Sequence, residues 1–471
     1  MADLHDARLT GDETIETSFG ALRLEQTFPT DDTATLLFDQ LDAQRAAQAY
    51  LWSLPLAGFV TWRERAAQTF GASGFDFVVY DSLREKRGIV TANLTTPYII
   101  NFTSLADGPV LIDYPAGPTA GGVLDFWQRP VTDLGQTGPD QGKGGGYVVL
   151  GPDHDAARFE DSGRFLVRSA TVNVFIAFRL LTQDPQLIAD AKNDLKLARA
   201  GAQAAPVHFI EGVDQEWSAT PARGLDYWRD LATVLREEPV REVDKALMAM
   251  LEPLGVTRDR PFAPDERQQR ILAEGAALGE LMVRNLQVNP RYTHPYWPGT
   301  SWYKSFDFQT EQETDTLLQL DQRATLFYEA VTSTKGMVNP APGTGQVYMT
   351  SKRDSQGRLV RTDRTYRLHI PADVPVAQFW SLTLYSEDTR RPYDNGGTEI
   401  RSVSLDSRDQ QLTFNPDGSI DLYIGPDTPA GTENNWMKTH APDGWFIYFR
   451  LYAPTQPFFD KTWTLPDIEA I

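Results

Sequence analysis

The stretch Gly108-Pro109-Val110-Leu111-Ile112-Asp113, then Phe126-Trp127-Gln128-Arg129-Pro130-Val131-Thr132-Asp133-Leu134-Gly135, then Gly138-Pro139-Asp140-Gln141-Gly142-Lys143-Gly144-Gly145-Gly146 and Tyr147-Val148-Val149-Leu150-Gly151-Pro152, decides the fold class. Short apolar runs bounded by Gly and Pro read as strands. Between them the chain concentrates Trp, Arg, Asp, Lys and Gly. A polar, glycine-rich loop held between strands is the usual seat of binding or catalysis.

Working outward, further strands are expected at Phe75–Tyr80, Tyr98–Phe102, Val110–Tyr114, Tyr147–Leu150 and Thr171–Phe178. Their Gly- and Pro-rich spacers suggest an antiparallel sandwich. Residues 1–28 lack a clear period and read as an arm, 1–28. Acidic Asp31 and Asp32 open a helix within a segment 29–70. Leu36, Leu37, Leu41 and Tyr50 are expected on one face, with Pro55 and Gly58 interrupting. Residues 184–200 and about 222–288 read as helical. In the latter, Val243, Leu247, Met250 and Leu251 form one stripe, and Ile271, Leu278, Leu281 and Met282 another. A last helix is expected over 311–331, with Leu317, Leu320, Ala324 and Phe327 on one side. After Pro340, alternating runs such as Thr365–Ile370, Gln378–Tyr385, Asp421–Ile424 and Trp445–Tyr452, with a turn at Asn415–Ser419, suggest a jelly-roll-like double sheet. The expected organisation is therefore a mainly β chain with a helical segment: β-sandwich 71–215, helical link 216–335 and a second β-domain 336–471.

Composition bounds the function. A chain of 471 residues is too long for one core. Its formal charge of −20 argues against nucleic acid, whose phosphates require a basic surface. It argues equally against an anionic membrane. With no cysteine, disulfides, thiolate nucleophiles and Cys-based metal sites are excluded. No apolar run approaches the roughly 20 residues that span a bilayer. The acidic start, Met1-Ala2-Asp3-Leu4-His5-Asp6, shows no leader pattern. As written, the chain reads as cytoplasmic, or periplasmic if a leader has been removed.

Several residues are candidates for chemistry. Trp127 and Arg129 fall two apart, on one side of an extended segment. There a ring can stack on a ligand while a guanidinium grips a carboxylate or phosphate. The competing arrangement is an Arg129–Asp133 ion pair. Lys143 sits in a glycine run that is no phosphate loop, because Gly rather than Ser or Thr follows it and a strand rather than a helix comes next. Asp133 is a candidate base, and Asp133 with Asp140 could hold calcium or magnesium. His294, in an aromatic loop, and His440, after Asn434-Asn435-Trp436, are candidate acid–base groups. The histidines lack any His-x-x-x-His spacing for zinc. No Gly-x-Ser-x-Gly elbow exists, which leaves a serine hydrolase without support. Arg390, Asn434, Asn435 and Tyr98 are expected to line the same cleft.

Together these residues carry a resemblance. The segments Thr96-Pro97-Tyr98, Trp127-Gln128-Arg129-Pro130 and Gly138-Pro139-Asp140-Gln141-Gly142-Lys143-Gly144-Gly145 resemble the bacterial domain of unknown function 1254. Phe379–Tyr385, Gly431-Thr432-Glu433-Asn434-Asn435-Trp436 and Phe458-Phe459-Asp460-Lys461-Thr462-Trp463 resemble its usual companion, domain of unknown function 1214. The resemblance covers nearly everything after about residue 40. It implies an N-terminal immunoglobulin-like sandwich, a helical segment and a C-terminal jelly-roll-like domain, and many members carry export signals.

The leading expectation is a hydrolase or lyase acting on a small polar or anionic substrate between the two β-domains. The alternative is a non-catalytic envelope or carbohydrate-binding protein, whose 11 Trp and 17 Tyr permit sugar stacking. A third reading makes the aromatic loops contacts of a homo-oligomer.

Overall fold

The computed structural model describes residues 2–182, 184–212 and 215–471. It is a mixed β structure with helical segments. The chain divides into two compact units. One holds the chain up to Leu54 with Ala222–Arg236 and Val240–Arg284, and the other holds Pro55–Pro221, Glu237–Pro239 and Asn285–Ile471.

In the first unit, residues expected to form an arm build a small four-stranded sheet. Glu13–Thr17 pairs antiparallel with Gly20–Glu25, burying Ile15 and Leu22. The long segment Asp31–Phe70 is one helix. Pro55 does not end it, and Gln128 Nε2 donates to the Pro55 carbonyl at 2.7 Å. Nearly every residue from Ala46 to Trp62 is buried. Packing on all sides therefore outweighs the roughly 3 kcal/mol that an interior proline costs a helix. The expected face is also corrected: Tyr50 is buried while Leu37 and Leu41 are exposed.

The helical region resolves into Leu225–Glu237, Lys245–Leu251 and Glu266–Val288. In the last helix Ile271, Leu272, Ala276 and Val283 are buried, whereas Leu278, Leu281 and Met282 are exposed. Val243 lies in the short 3-10 turn Glu242–Asp244, before the α-helix Lys245–Leu251, and is exposed. Gly275 and Gly279 bring Glu266–Val288 close to the first helix. A Cβ on Gly275 would stand 2.3 Å from that of Ala46. Residues 184–200 form a helix only over Pro185–Asp194, then the strand Lys196–Arg199. The helix expected over 311–331 is confined to Leu320–Glu329, because Glu313 bridges Leu318 just before it.

In the second unit, one six-stranded sheet runs in the order Phe209–Glu211, Phe77–Tyr80, Tyr98–Ser104, Asn173–Leu180, Thr119–Asp125, Pro130–Gly135. A second, five-stranded sheet contains Phe165–Arg168, Gly145–Leu150, Val110–Tyr114, Lys196–Arg199 and Ala205–Pro206. Period-2 alternation splits the faces. Val174, Ile176 and Phe178 join Ile99, Val110, Ile112, Tyr147 and Val149 in one core. The opposite face carries Phe102 and Phe175, which pack on Phe59 and Trp62 at ring separations of 4.8–5.8 Å. Within these two sheets pairing is antiparallel except where Tyr147–Leu150 runs parallel to Phe165–Arg168 and Phe77–Val79 to Phe209–Glu211. The C-terminal strands form two further sheets, one centred on Trp445–Tyr452 and the other on Ile420–Gly425 with Tyr366–Ile370.

A buried carboxylate fastens this unit. Glu238 accepts from Val172 N at 2.6 Å, Asn173 N at 3.0 Å and Asn173 Nδ2 at 2.7 Å. Burial raises its pKa to about 7 from 4.5, although these donors oppose the shift. Because the folded pKa lies above the unfolded one, its stabilising contribution is complete below about pH 4.5 and is lost as pH rises through 7. The loss reaches about 3 kcal/mol. Glu238→Gln should flatten the dependence of the melting temperature on pH between 5 and 8, and an unchanged slope would refute this.

Candidate functional site

Between the six-stranded sheet and the C-terminal strand Gln346–Ser351 lies a cavity of about 110 Å³. The in-phase strand positions Ile100, Leu124, Phe175 and Ala177 form one wall, with Trp62 beside them. Ile89, Val90, Val331 and Met337 add further apolar surface. Into this apolar chamber project Arg179, Tyr98, Tyr348, Gln346 and several threonines. No Asp, Glu or His is among the described residues that line it.

Arg179 is positioned by register. It stands opposite Ala120 in the ladder, two residues beyond Ala177, so its side chain shares the pocket face. Among the described residues its guanidinium has one hydrogen bond, a long contact to Thr96 Oγ1 at 3.5 Å. Among the described residues no carboxylate pairs with it. Tyr98 Oη accepts from Asn93 N at 2.9 Å, and Tyr348 Oη donates to Gln346 Oε1 at 2.7 Å. Burial raises the pKa of both tyrosines, against the pull of Arg179 and Arg450. They therefore remain protonated donors.

Behind the wall sits a second cation. Arg450 is 1% exposed, and its guanidinium donates to Thr383 Oγ1 and to the carbonyl of the wall residue Thr91. The rings of Tyr348, Tyr448 and Tyr385 stand 5.0–5.5 Å from its Cζ. Its Nε has no hydrogen-bond partner among the described residues. Burial opposes the charge, but the surrounding tyrosine oxygens outweigh it and raise the pKa. Arg179 in the chamber and Arg450 behind its wall thus have no carboxylate partner among the described residues, which is an electrostatic demand for an anion.

The residues singled out in the sequence scatter around this cavity. Tyr98 lines it. Asp133 stands one layer behind: it accepts from Lys335 N at 3.2 Å and holds the turn that carries Gly336, a wall residue. Burial raises the Asp133 pKa. Arg390 holds the wall through its backbone, accepting from Thr91 N at 2.7 Å, while its guanidinium covers Tyr328. Trp127 is buried beneath Arg323, 5.0 Å from its Cζ. Arg129 pairs with Asp125 at 2.6 Å rather than with Asp133. Asp140 accepts from Gly135 N and Tyr147 Oη, closing its own loop, and Lys143 is exposed. His294 and Asn434 are exposed. His440 is bound to the Asp394 carbonyl, and Asn435 staples Thr413 to Asp421. None of these last eight lines the cavity. Among the described residues no group of three or more His, Cys, Asp or Glu is placed to hold a metal ion, so Asp133 and Asp140 gain no third ligand. No described helix is long and apolar enough to cross a membrane.

The models described as "Protein of unknown function (DUF1254)" and "Protein of unknown function (DUF1214)" match residues 76–200 and 345–456. The chain is similar in fold to the crystal structure of the VPA0106 protein from Vibrio parahaemolyticus. The TM-score is 0.55 at 15% identity, over 91% of this chain and all of that one. An uncharacterized protein from Burkholderia cenocepacia aligns over 93% of this chain and 97% of its own, at 13% identity and a TM-score of 0.43. No curated protein matches the chain.

Proposed function

For a chain that belongs to the family pairing a DUF1254 with a DUF1214 domain, we propose that this cavity binds a small organic anion, a carboxylate on an apolar body. The observation that carries the reading is Arg179, the one charged side chain among the described residues lining the chamber, with no carboxylate partner among them. A guanidinium so placed offers paired donors matched to a carboxylate. The aromatic wall receives the remainder of the ligand.

The recessed shape favours a small-molecule site over a carbohydrate-binding platform, which would present exposed aromatic rings. Hydrolysis calls for an acid–base pair at the ligand, and the described wall carries no carboxylate or imidazole.

Thermal shift and calorimetry with matched pairs test the proposal. Phenylacetate and hexanoate should stabilise the protein where phenylacetamide and hexanol do not. At a hundredfold excess over Kd the anion would add about 2.7 kcal/mol. Equal effects of acid and amide would sink it. Gly336 supplies a control. Its backbone is not left-handed, and a Cβ there meets nothing closer than 3.5 Å. Gly336→Leu should therefore fold normally and fill the chamber, cutting anion affinity at least tenfold. Unaltered binding in that variant would place the ligand elsewhere.

A further inference from the structure

Four threonines are among the described residues lining the chamber: Thr91, Thr137, Thr332 and Thr334. Thr137 spends its hydroxyl on Asp133. The hydroxyls of the other three have no hydrogen-bond partner among the described residues. Thr334 stands at the N-cap of the short helical turn Lys335–Val338, where a threonine hydroxyl ordinarily accepts from the backbone. It makes no such bond. Asp133 takes that role instead, accepting from Lys335 N at 3.2 Å and from Gly336 N. Thr91 and Thr332 hold φ of +41° and +67°, a region that β-branched residues seldom enter. Each is pinned by a residue that is itself left-handed. Thr91 N donates to the Arg390 carbonyl and Thr332 N to Gln128 Oε1, both at 2.7 Å. Ser333, between the chamber residues Thr332 and Thr334, is fully buried and donates to the Gln128 carbonyl. Backbone strain fixed in this way clusters at ligand sites. Glycine would adopt the same angles freely, so what threonine adds at 91 and 332 is a side chain facing the same demand as Thr334.

Resting on the anion-site reading above, we propose that the chamber selects a hydroxylated carboxylate. Arg179 holds the carboxylate, and the hydroxyls of Thr91, Thr332 and Thr334 receive the hydroxyl of the ligand. A threonine hydroxyl donates one hydrogen bond and accepts others, which matches a partner that does the same. A ligand with a purely hydrocarbon body would displace water and leave these hydroxyls unpaired. A site built to hydrogen-bond a ligand hydroxyl discriminates in this way against the analogue that lacks it.

The test moves one hydroxyl around phenylacetate: both enantiomers of mandelate, and the ortho, meta and para hydroxyphenylacetates, each titrated by calorimetry into the full chain. At least one should bind about tenfold more tightly than phenylacetate, the upper range of a single neutral hydrogen bond. Thr91→Val, Thr332→Val and Thr334→Val keep the branched shape and remove only the hydroxyl. At least one of them should erase that preference while phenylacetate still binds. Phenylacetate binding with no isomer preferred would overturn the hydroxyl selection and leave the anion site standing. So would a preference that survives all three valine variants. Binding of none of these carboxylates would overturn both readings. Because the isomer comparison uses the unaltered chain, it stands however the variants fold.

Discussion

Arg179→Met should reduce carboxylate affinity by roughly 10- to 100-fold while leaving the melting temperature unchanged or raised. A charge-assisted hydrogen bond contributes about 1.5–3 kcal/mol, which converts to that range. Met preserves the length and apolar character of the arginine stem, so packing against Ala177 and Ala120 persists. The folded protein loses little, since the guanidinium has one long contact to Thr96 and no ion pair with a described residue. Removing a partly buried, uncompensated charge is neutral or favourable to stability. Arg179→Lys should fall between, keeping charge but losing two-point geometry. Calorimetry with phenylacetate and a melting curve on the same preparation decide the matter. A sharp fall in melting temperature with unchanged affinity would make Arg179 a structural residue and remove the basis of the anion site.

How far this site was legible in the sequence turns on one strand. The run Thr171–Phe178 was readable from its alternation, but the strand extends to Leu180. Arg179 is in phase with Phe175 and Ala177, and a charged residue on an apolar face was the available signal. Ending the strand one residue early hid it. Tyr98 was readable because it opens a strand after a proline. Arg450 was hidden for another reason. Every position of Trp445–Tyr452 is buried, so alternation gives no hint that one of them is a charged group in a ring of tyrosines. The loop around Arg129 and Lys143 drew attention by composition. Yet the i,i+4 partner Asp125 neutralises Arg129, and Asp140 is consumed by a backbone amide and Tyr147. Local ion pairs of that kind depend on turn geometry, which residue types alone do not specify. Likewise Pro55 signals a helix end by its own chemistry, and only burial along its flanks overrides the signal.

The largest stability effect is expected behind the cavity wall, where Tyr448 Oη donates to Glu329 Oε1 at 2.6 Å. Glu329 Oε2 receives Lys352 Nζ at 3.0 Å and Gln287 Nε2 at 3.0 Å, and Lys352 reaches Glu387 at 2.5 Å. Both Lys352 and Glu329 are almost wholly buried. Burial disfavours the Lys352 ammonium, but the two carboxylates outweigh it and raise its pKa. Glu329→Leu alone leaves three donors aimed at an apolar side chain, and Lys352→Met alone leaves a buried carboxylate. Lys352→Met, which leaves Glu329 without its cation, should cost about 3–5 kcal/mol, and Glu329→Leu less, because Lys352 keeps Glu387. The double variant should cost clearly less than the sum, because two apolar groups fill the space without an orphaned charge. A double-mutant cycle on melting temperature reads the difference as a coupling energy of about 0.5–3 kcal/mol. Additive losses would mean that the two side chains do not act as a pair. The cycle bears on function as well as stability. The Tyr448 ring packs 6.0 Å from that of Tyr348, a wall residue, and 5.2 Å from Arg450 Cζ. The buried pair therefore anchors the tyrosine that fixes both the wall and the cation behind it. Either single variant should accordingly weaken carboxylate binding at temperatures where it is still folded, whereas a pair that served stability alone would leave that affinity intact.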